Sequence, residues 1–247
     1  MKKLTEKMTL WIENEVKNAK ANGVIYGLSG GIDSAVVAVL CKKIFPENSL
    51  ALILPCHSIG EDIKDAQELI KKFNINYEVV ELSEIYDSFS SLLSGKLKKN
   101  VHDDGLARAN IKPRLRMISL YYFANNLNYL VVGTSNKSEI MVGYSTKYGD
   151  SGADFFPLGN LLKSQVIELA KYLGVTKRII NKPPSAGLWK GQTDEEEMGI
   201  TYAQLDEYLT GGELNDKKIK KSIEMKIELS KHKRNTPNIF QLNNSIN

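Results

Sequence analysis

Gly27-Leu28-Ser29-Gly30-Gly31-Ile32-Asp33-Ser34 combines three kinds of chemistry in one short stretch. The glycines let the backbone turn sharply and bring its N–H groups against an anion. Ser29 and Ser34 add hydroxyl donors, and Asp33 adds a carboxylate. The apolar run Val24-Ile25-Tyr26 comes just before, and Ala35-Val36-Val37-Ala38-Val39-Leu40 just after. The stretch therefore reads as a strand, a phosphate-cradling turn and a helix N-terminus, whose unpaired donors and partial positive charge favour an anion. A carboxylate beside phosphates is repulsive unless a divalent cation lies between them, so Asp33 predicts Mg²⁺.

The spacing fits neither G-x-x-x-x-G-K-[ST] nor G-x-G-x-x-G, and no lysine follows the glycines. The pattern S-G-G-x-D-S instead resembles the loop of the N-type ATP pyrophosphatases, which cleave ATP between the α and β phosphates and adenylate a substrate. A glycine-rich connector with no ligand is the competing reading, disfavoured by the strand-to-helix setting.

Such a turn needs a sheet behind it. Apolar runs at 24–28, 50–54, 77–80 and 129–133 alternate with helical patterns at 34–44, 61–73, 85–93 and 106–126. Alternating strands and helices imply right-handed crossovers and a parallel sheet. Leu50-Ala51-Leu52-Ile53-Leu54 lacks polar alternation, as expected when both faces are covered. The fold class is α/β, a Rossmann-like doubly wound parallel sheet. Ligands bind beyond the carboxyl ends of such strands, where the first loop and the segment after Val131-Val132-Gly133 both lie.

Ahead of the sheet, Leu4, Met8, Ile12 and Val16 recur every fourth residue and mark an amphipathic helix. From Gly143 to Gly159 periodicity dissolves into a long loop whose aromatics and charges favour binding. A helix is expected at 161–173, followed by turn-rich 182–192. Thr193 and Glu196 form a capping-box pattern, which makes Asp194–Glu197 a helix-start device rather than a metal site. Residues 217–234 read as a basic helix.

Composition narrows the function classes. With 247 residues, 42% of them hydrophobic, the chain is long enough for a full core and fits one domain, 1–247. A formal charge of +4 is too mild to indicate nucleic acid. No apolar run approaches membrane-spanning length, and charges interrupt any signal-like start. Cys41 and Cys56 have neither metal nor redox spacing, which points to a reduced, cytoplasmic compartment. Cys56-His57 lacks a third orienting group, and His102 is given an incidental role on the same ground.

Further blocks sharpen the resemblance. They are Asn110-Ile111-Lys112-Pro113-Arg114-Leu115-Arg116-Met117, Gly133-Thr134-Ser135-Asn136-Lys137-Ser138-Glu139 and Thr146-Lys147-Tyr148-Gly149-Asp150. Gly152-Ala153-Asp154 and Pro157-Leu158-Gly159-Asn160-Leu161-Leu162-Lys163-Ser164-Gln165-Val166 follow. Pro184-Ser185-Ala186-Gly187-Leu188-Trp189, Gly191-Gln192-Thr193-Asp194-Glu195 and His232-Lys233-Arg234 complete the series. In order and content the chain resembles the ammonia-dependent NAD synthetase family almost from end to end.

That resemblance implies an adenine nucleotide alpha hydrolase-like fold and a C–N ligase. Deamido-NAD⁺, ATP and ammonia would yield NAD⁺, AMP and pyrophosphate, the final step of NAD biosynthesis. Gly27, Leu28, Ser29, Gly30, Gly31, Ile32, Asp33 and Ser34 match the family's ATP loop, and Thr134, Lys163 and Ser185 match further ATP contacts. Asp33 and Glu139 match Mg²⁺ ligands. Arg114, Lys147, Asp154, His232 and Lys233 match deamido-NAD⁺ contacts, and Asp33 and Lys163 carry the catalytic roles. Many relatives have threonine where Ser185 stands; serine keeps the hydroxyl. Glutamine-using members carry an additional amidohydrolase domain for which this chain has no room, so free ammonia is the expected donor. The resemblance also implies a homodimer, with the apolar stripes at 4–16 and 118–123 open to either an internal or an intersubunit role.

Two rivals stay on the table. A tRNA-modifying adenylating enzyme would need a nucleic-acid platform, for which only the basic tail offers charge. A catalytically silent nucleotide sensor would not need Lys163 as a leaving-group cation. For Arg114 and Lys112 a solvated helix face is the plain alternative.

Overall fold

In the computed structural model, which describes residues 1–58, 60–94, 96, 105–189 and 191–240, four parallel strands form the centre. They are β1 (Gly23–Gly27), β2 (Ser49–Ile53), β3 (Tyr77–Val79) and β4 (Tyr129–Val131), in the order β3-β2-β1-β4. Reversal of strand order between β2 and β4 places β1 at the switch point, with Ile25 paired to Leu50 on one side and Val131 on the other. The crevice beyond the carboxyl end of β1 is the ligand site that such topology provides.

Successive β1 side chains serve different cores, as the two-residue period of a strand requires. Val24 and Tyr26 pack with Met8 and Ile12 of α1 (Lys2–Asn18), Val36 and Leu40 of α2 (Ile32–Ile44), and Leu169 of α8 (Lys163–Leu173). Ile25 packs with Leu52, Val131 and Ala124 on the other face, where α6 (Ile111–Leu127) lies. Helices on both faces confirm the doubly wound sheet and explain why its strands lack polar alternation. The 4–16 stripe is internal: Met8, Ile12 and Val16 are buried.

Between the strands run α3 (Gly60–Phe73) and α4 (Ser83–Leu93). The helix expected at 106–126 is in fact two, α5 (Gly105–Ala109) and α6. Pro113 explains the break: inside a continuous helix its ring would clash with the carbonyl of Ala109, whereas in the first turn of α6 its missing N–H costs nothing. The long loop after β4 is also less irregular than its sequence implies. Val132 and Phe155 form a parallel bridge beside β4, and Gly133 N donates to Phe155 O at 2.9 Å. His102 lies outside the described residues.

The carboxyl-terminal third builds a third apolar cluster. Short helices α7 (Lys137–Val142), α9 (Lys177–Asn181), α10 (Asp194–Met198) and α11 (Tyr202–Leu209) precede α12 (Lys217–Leu229) and α13 (Lys231–Arg234). Val142, Met198, Leu205 and Ile223 pack together, so the basic tail carries a buried face. It bends at Ser230 rather than running as one helix to Arg234. Thr193 caps α10 as expected, but its hydroxyl donates to Glu196 Oε2 at 2.7 Å. Glu196 thus braces the cap side chain instead of reaching back to the cap backbone.

Candidate active site

The turn after β1 is shaped by its own side chains. Gly30 has φ +82°, and a Cβ there would come within 2.2 Å of Asp62 O. Left-handed backbone and close packing together demand glycine. Ser34 Oγ donates to Gly31 O at 2.9 Å and lies 3.1 Å from Ser29 Oγ. Gly31 N donates to Ser29 Oγ at 3.2 Å. These bonds brace the loop so that the first N–H groups of α2, which have no partner within the helix, face the crevice end of β1.

Beside this turn, Lys163 is only 2% exposed. Its Nζ stands 2.6 Å from Asp33 Oδ2 and 3.2 Å from Glu139 Oε1. Burial alone would lower the ammonium's pKa, but the two carboxylates outweigh it and hold Lys163 above the usual lysine value. Glu139 is pushed up to about 7, first by burial and then by the Asp33 charge, with Lys163 opposing. Two carboxylates thus share a single ammonium in a water-poor crevice.

Neighbouring elements fix each member. Asn136 caps α7, its Oδ1 accepting from Glu139 N at 3.1 Å while Glu139 Oε2 accepts from Asn136 N at 3.2 Å. The same Asn136 donates from Nδ2 to Asp33 Oδ1 at 2.9 Å. Asn136 therefore holds both carboxylates, Asp33 through its side chain and Glu139 through its backbone N–H. Tyr202 OH lies 3.1 Å from Glu139 Oε1 and 2.8 Å from Asp194 Oδ2, with the Lys163 ammonium 4.8 Å from its ring centre. Asp206 accepts from Ser138 Oγ at 2.5 Å and from Ser164 N at 2.9 Å, joining α7 to the start of α8.

A cavity of about 480 Å³ opens over these groups. Gly27, Leu28, Ser29, Gly31, Ile32, Asp33, Ser34, Thr134, Glu139, Lys163, Ser185 and Lys233 all line it. Gly30 sits just behind, against Asp62. Lys233 donates to Gly143 O at 2.7 Å and Ser145 O at 2.6 Å.

Three other residues gather away from that wall. Arg114 Nη2 donates to Lys147 O at 3.2 Å, and Lys147 Nζ lies 3.4 Å from His232 Nδ1. Asp154 turns inward to the sheet, accepting from Val131 N at 2.7 Å and Tyr121 OH at 3.2 Å. Lys112 is buried and donates to Leu188 O at 2.8 Å, which rules out the solvated-face alternative for it. Cys56 and His57 do not act together: burial pushes the thiol up, and the imidazole faces Asp87 Oδ1 at 2.9 Å.

Asn136, Tyr202 and Asp206 went unassigned in the sequence. Only Asn136 left a legible signal, an amide three residues before Glu139 in capping-box spacing.

The sequence matches the NAD synthase family profile over residues 4–244. The chain belongs to the NAD synthase family. Membership makes it a ligase of NAD biosynthesis, an enzyme of the ATP-dependent ligation that forms NAD. It is 52% identical to the NH(3)-dependent NAD(+) synthetase of Syntrophomonas wolfei over 94% of this chain and 93% of that protein. Among solved structures it resembles the NMN synthetase of Francisella tularensis, with TM-score 0.92, 40% identity and 98% of each chain covered. It also resembles the NH3-dependent NAD synthetase of Campylobacter jejuni, with TM-score 0.79, 35% identity, and 97% and 98% coverage.

Proposed function

We propose that this NAD synthase, acting as one domain spanning 1–247, uses free ammonia: the carboxylate of deamido-NAD⁺ is adenylated by ATP, pyrophosphate departs, and ammonia displaces AMP. The observation that carries this reading is the buried Lys163 between Asp33 and Glu139, at the lip of the Ser29–Ser34 turn. A bare carboxylate does not form an amide with ammonia, so it must first acquire a leaving group. The turn's N–H groups hold the triphosphate, and Lys163 stabilises the charge that develops on the departing pyrophosphate. Thr134 and Ser185 complete the ATP wall.

The donor set fits Mg²⁺. With Glu139 ionised, Asp33 and Glu139 exceed by one negative charge what Lys163 neutralises. One or two carboxylates completed by substrate phosphates is how Mg²⁺ is ordinarily held at such sites. Asp33 and Glu139 would hold it, and when bound it screens phosphate charge along the reaction path.

For deamido-NAD⁺ we assign Arg114, Lys147, His232, Lys233 and Asp154. The Arg114–Lys147–His232 group supports this, because two cations and an imidazole gathered in one place suit a second phosphate-bearing substrate. We assign a homodimer as well: Ile118 and Tyr122 on α6 are 59% and 66% exposed, and Phe89 and Leu92 on α4 are also exposed. Cytoplasmic placement rests on two free buried cysteines, and among the described residues no helix is long and apolar enough to cross a membrane.

Pyrophosphate release, followed while each substrate is omitted in turn, tests the reading. Release and NAD⁺ formation should require deamido-NAD⁺, ATP, Mg²⁺ and ammonia, with glutamine a poor replacement. Absence of NAD⁺ with everything present rejects it. The 40% identity to the NMN synthetase of Francisella tularensis supports a second acceptor, the carboxylic acid that corresponds to NMN. Parallel kcat/KM values for the two acids decide which is preferred.

A further inference from the structure

A second charged cluster borders the same cavity. Lys182 follows α9 and opens the strap Pro183–Leu188, which carries Ser185. Its Nζ lies 2.7 Å from Asp65 Oδ2 and also contacts Asp62 Oδ1, both carboxylates on α3. Asp65 is 1% exposed and keeps a separate cation, Arg178, whose Nε is 2.6 Å from Oδ1. Among the described residues Lys182 is the cation in contact with Asp62. The fold's buried carboxylate is therefore served without Lys182, whereas the link to Asp62 is not.

Asp62 faces the glycine turn through its backbone, since its carbonyl is the atom a Gly30 Cβ would strike at 2.2 Å. Continuous contact thus runs from Gly30 through Asp62 to Lys182 and into the strap. Pro183, Ser185 and Ala186 are exposed and Pro184 and Leu188 only half-buried, so no fully buried apolar side chain fixes the strap's place. Polar ties do: Lys112 holds Leu188 O at 2.8 Å, and Asp194 N donates to Pro184 O at 3.0 Å. Of these ties, the Lys182 contact is the one that leads back to the turn.

We propose that Lys182 is a positioning residue for the nucleotide, its ammonium fastening the Ser185 strap to the helix that backs the glycine turn. This rests on the ATP reading under Proposed function. It explains why a lysine precedes two prolines here: the charge anchors the start of the strap, and the prolines stiffen the residues after it. A side chain acting through another should alter nucleotide affinity without touching the second substrate.

Titration calorimetry of the full chain with Mg²⁺ and a non-hydrolysable ATP analogue tests this, alongside hydrogen exchange over residues 183–189. K182M should weaken the analogue about tenfold, the size expected for losing one charged hydrogen bond, and leave deamido-NAD⁺ affinity unchanged. K182R should restore most of that loss. D62N should match K182M, and the double variant should be no worse than K182M, because both break the Lys182–Asp62 contact while Asp65 keeps Arg178. Analogue-induced protection of the strap should be present in wild type and lost in K182M. A K182M protein that melts earlier yet binds the analogue like wild type overturns the proposal, as do losses that multiply in the double variant. Wild-type protein that fails to bind the analogue overturns the ATP reading and this proposal with it.

Discussion

Asn136 Nδ2 donates to Asp33 Oδ1 at 2.9 Å, while Asn136 Oδ1 accepts from Glu139 N. With the Asn136 backbone N–H donating to Glu139 Oε2, one residue, through its side chain and its backbone, holds two carboxylates more than a hundred positions apart in sequence. Asn136 is fully buried, so neither partner can be replaced by water without cost. Asn136→Asp would place a third carboxylate against Asp33. We expect kcat/KM to fall by about a hundredfold or more, since misplacing catalytic groups by about an ångström costs that much. Steady-state kinetics beside an unchanged circular dichroism spectrum check it.

Lys163→Met should remove the leaving-group cation and leave Asp33 and Glu139 unneutralised. The rate should fall by roughly 10²- to 10³-fold, the usual effect of deleting one preorganised electrostatic group. The apo protein should also melt at a lower temperature, because buried like charges lose their counter-ion. Saturating Mg²⁺ should recover part of the melting temperature but not the rate; recovery of both would contradict the role given to Lys163.

Glu139 supplies a pH dependence whose sign follows from its direction of shift. Its carboxyl is raised from an ordinary 4.5 to about 7, so the folded protein holds this proton more tightly than the unfolded chain does. That contribution to apo stability is complete below pH 4.5 and disappears as pH rises through about 7. Protons compete with Mg²⁺ for the same oxygen, so apparent Mg²⁺ affinity should rise between about pH 6 and about pH 8, roughly one pH unit either side of the shifted value. Activity titrated with Mg²⁺ at several pH values measures this. Glu139→Gln should flatten the profile.

Asp206 touches no part of the cavity wall, yet its carboxylate holds both Ser138 Oγ and Ser164 N. Asp206→Ala strands a buried hydroxyl and removes a negative charge from the start of α8. Stability should drop by about 2–3 kcal/mol, a typical figure for losing two charge-assisted hydrogen bonds with partial relaxation. Thermal denaturation reads the loss directly. Because Lys163 is the first residue of α8, kcat should fall too.

Gly30→Ala forces a left-handed alanine and a Cβ onto Asp62 O. The core beneath is formed by other residues, so the protein should fold while ATP affinity falls by roughly 5- to 30-fold, as expected for about 1–2 kcal/mol of backbone strain expressed in the loop. Equilibrium binding of ATP settles it.

Much of this was legible in residue order. The β1–turn–α2 unit follows from local rules: an apolar run, glycines, then a helix with Asp33 in its first turn. The parallel, doubly wound character of the sheet follows from alternation of strands and helices. What escaped were bonds made across long distances in sequence. Tyr202 and Asp206 belong to α11, a short helix whose sequence reads as an ordinary amphipathic segment. Their partners Glu139 and Ser138 lie more than sixty positions away. Nothing local distinguishes a tyrosine that props a buried carboxylate from one that fills a core. The split at Pro113 was readable in principle but was masked by the apolar period that continues on both sides.

The bend at Ser230 lets Arg234 return to α7, where Nη1 donates to Met141 O at 2.6 Å. Lys233 reaches Gly143 O nearby. Cations thus seal the carboxyl end of the very helix that bears Glu139, and they come from the final stretch described. During translation, then, the sheet and its glycine turn can assemble well before the helix carrying Glu139 is secured. Ribosomes that stall or terminate short of Ser230 would release a polypeptide whose Glu139-bearing helix lacks both clasps, and it should turn over poorly.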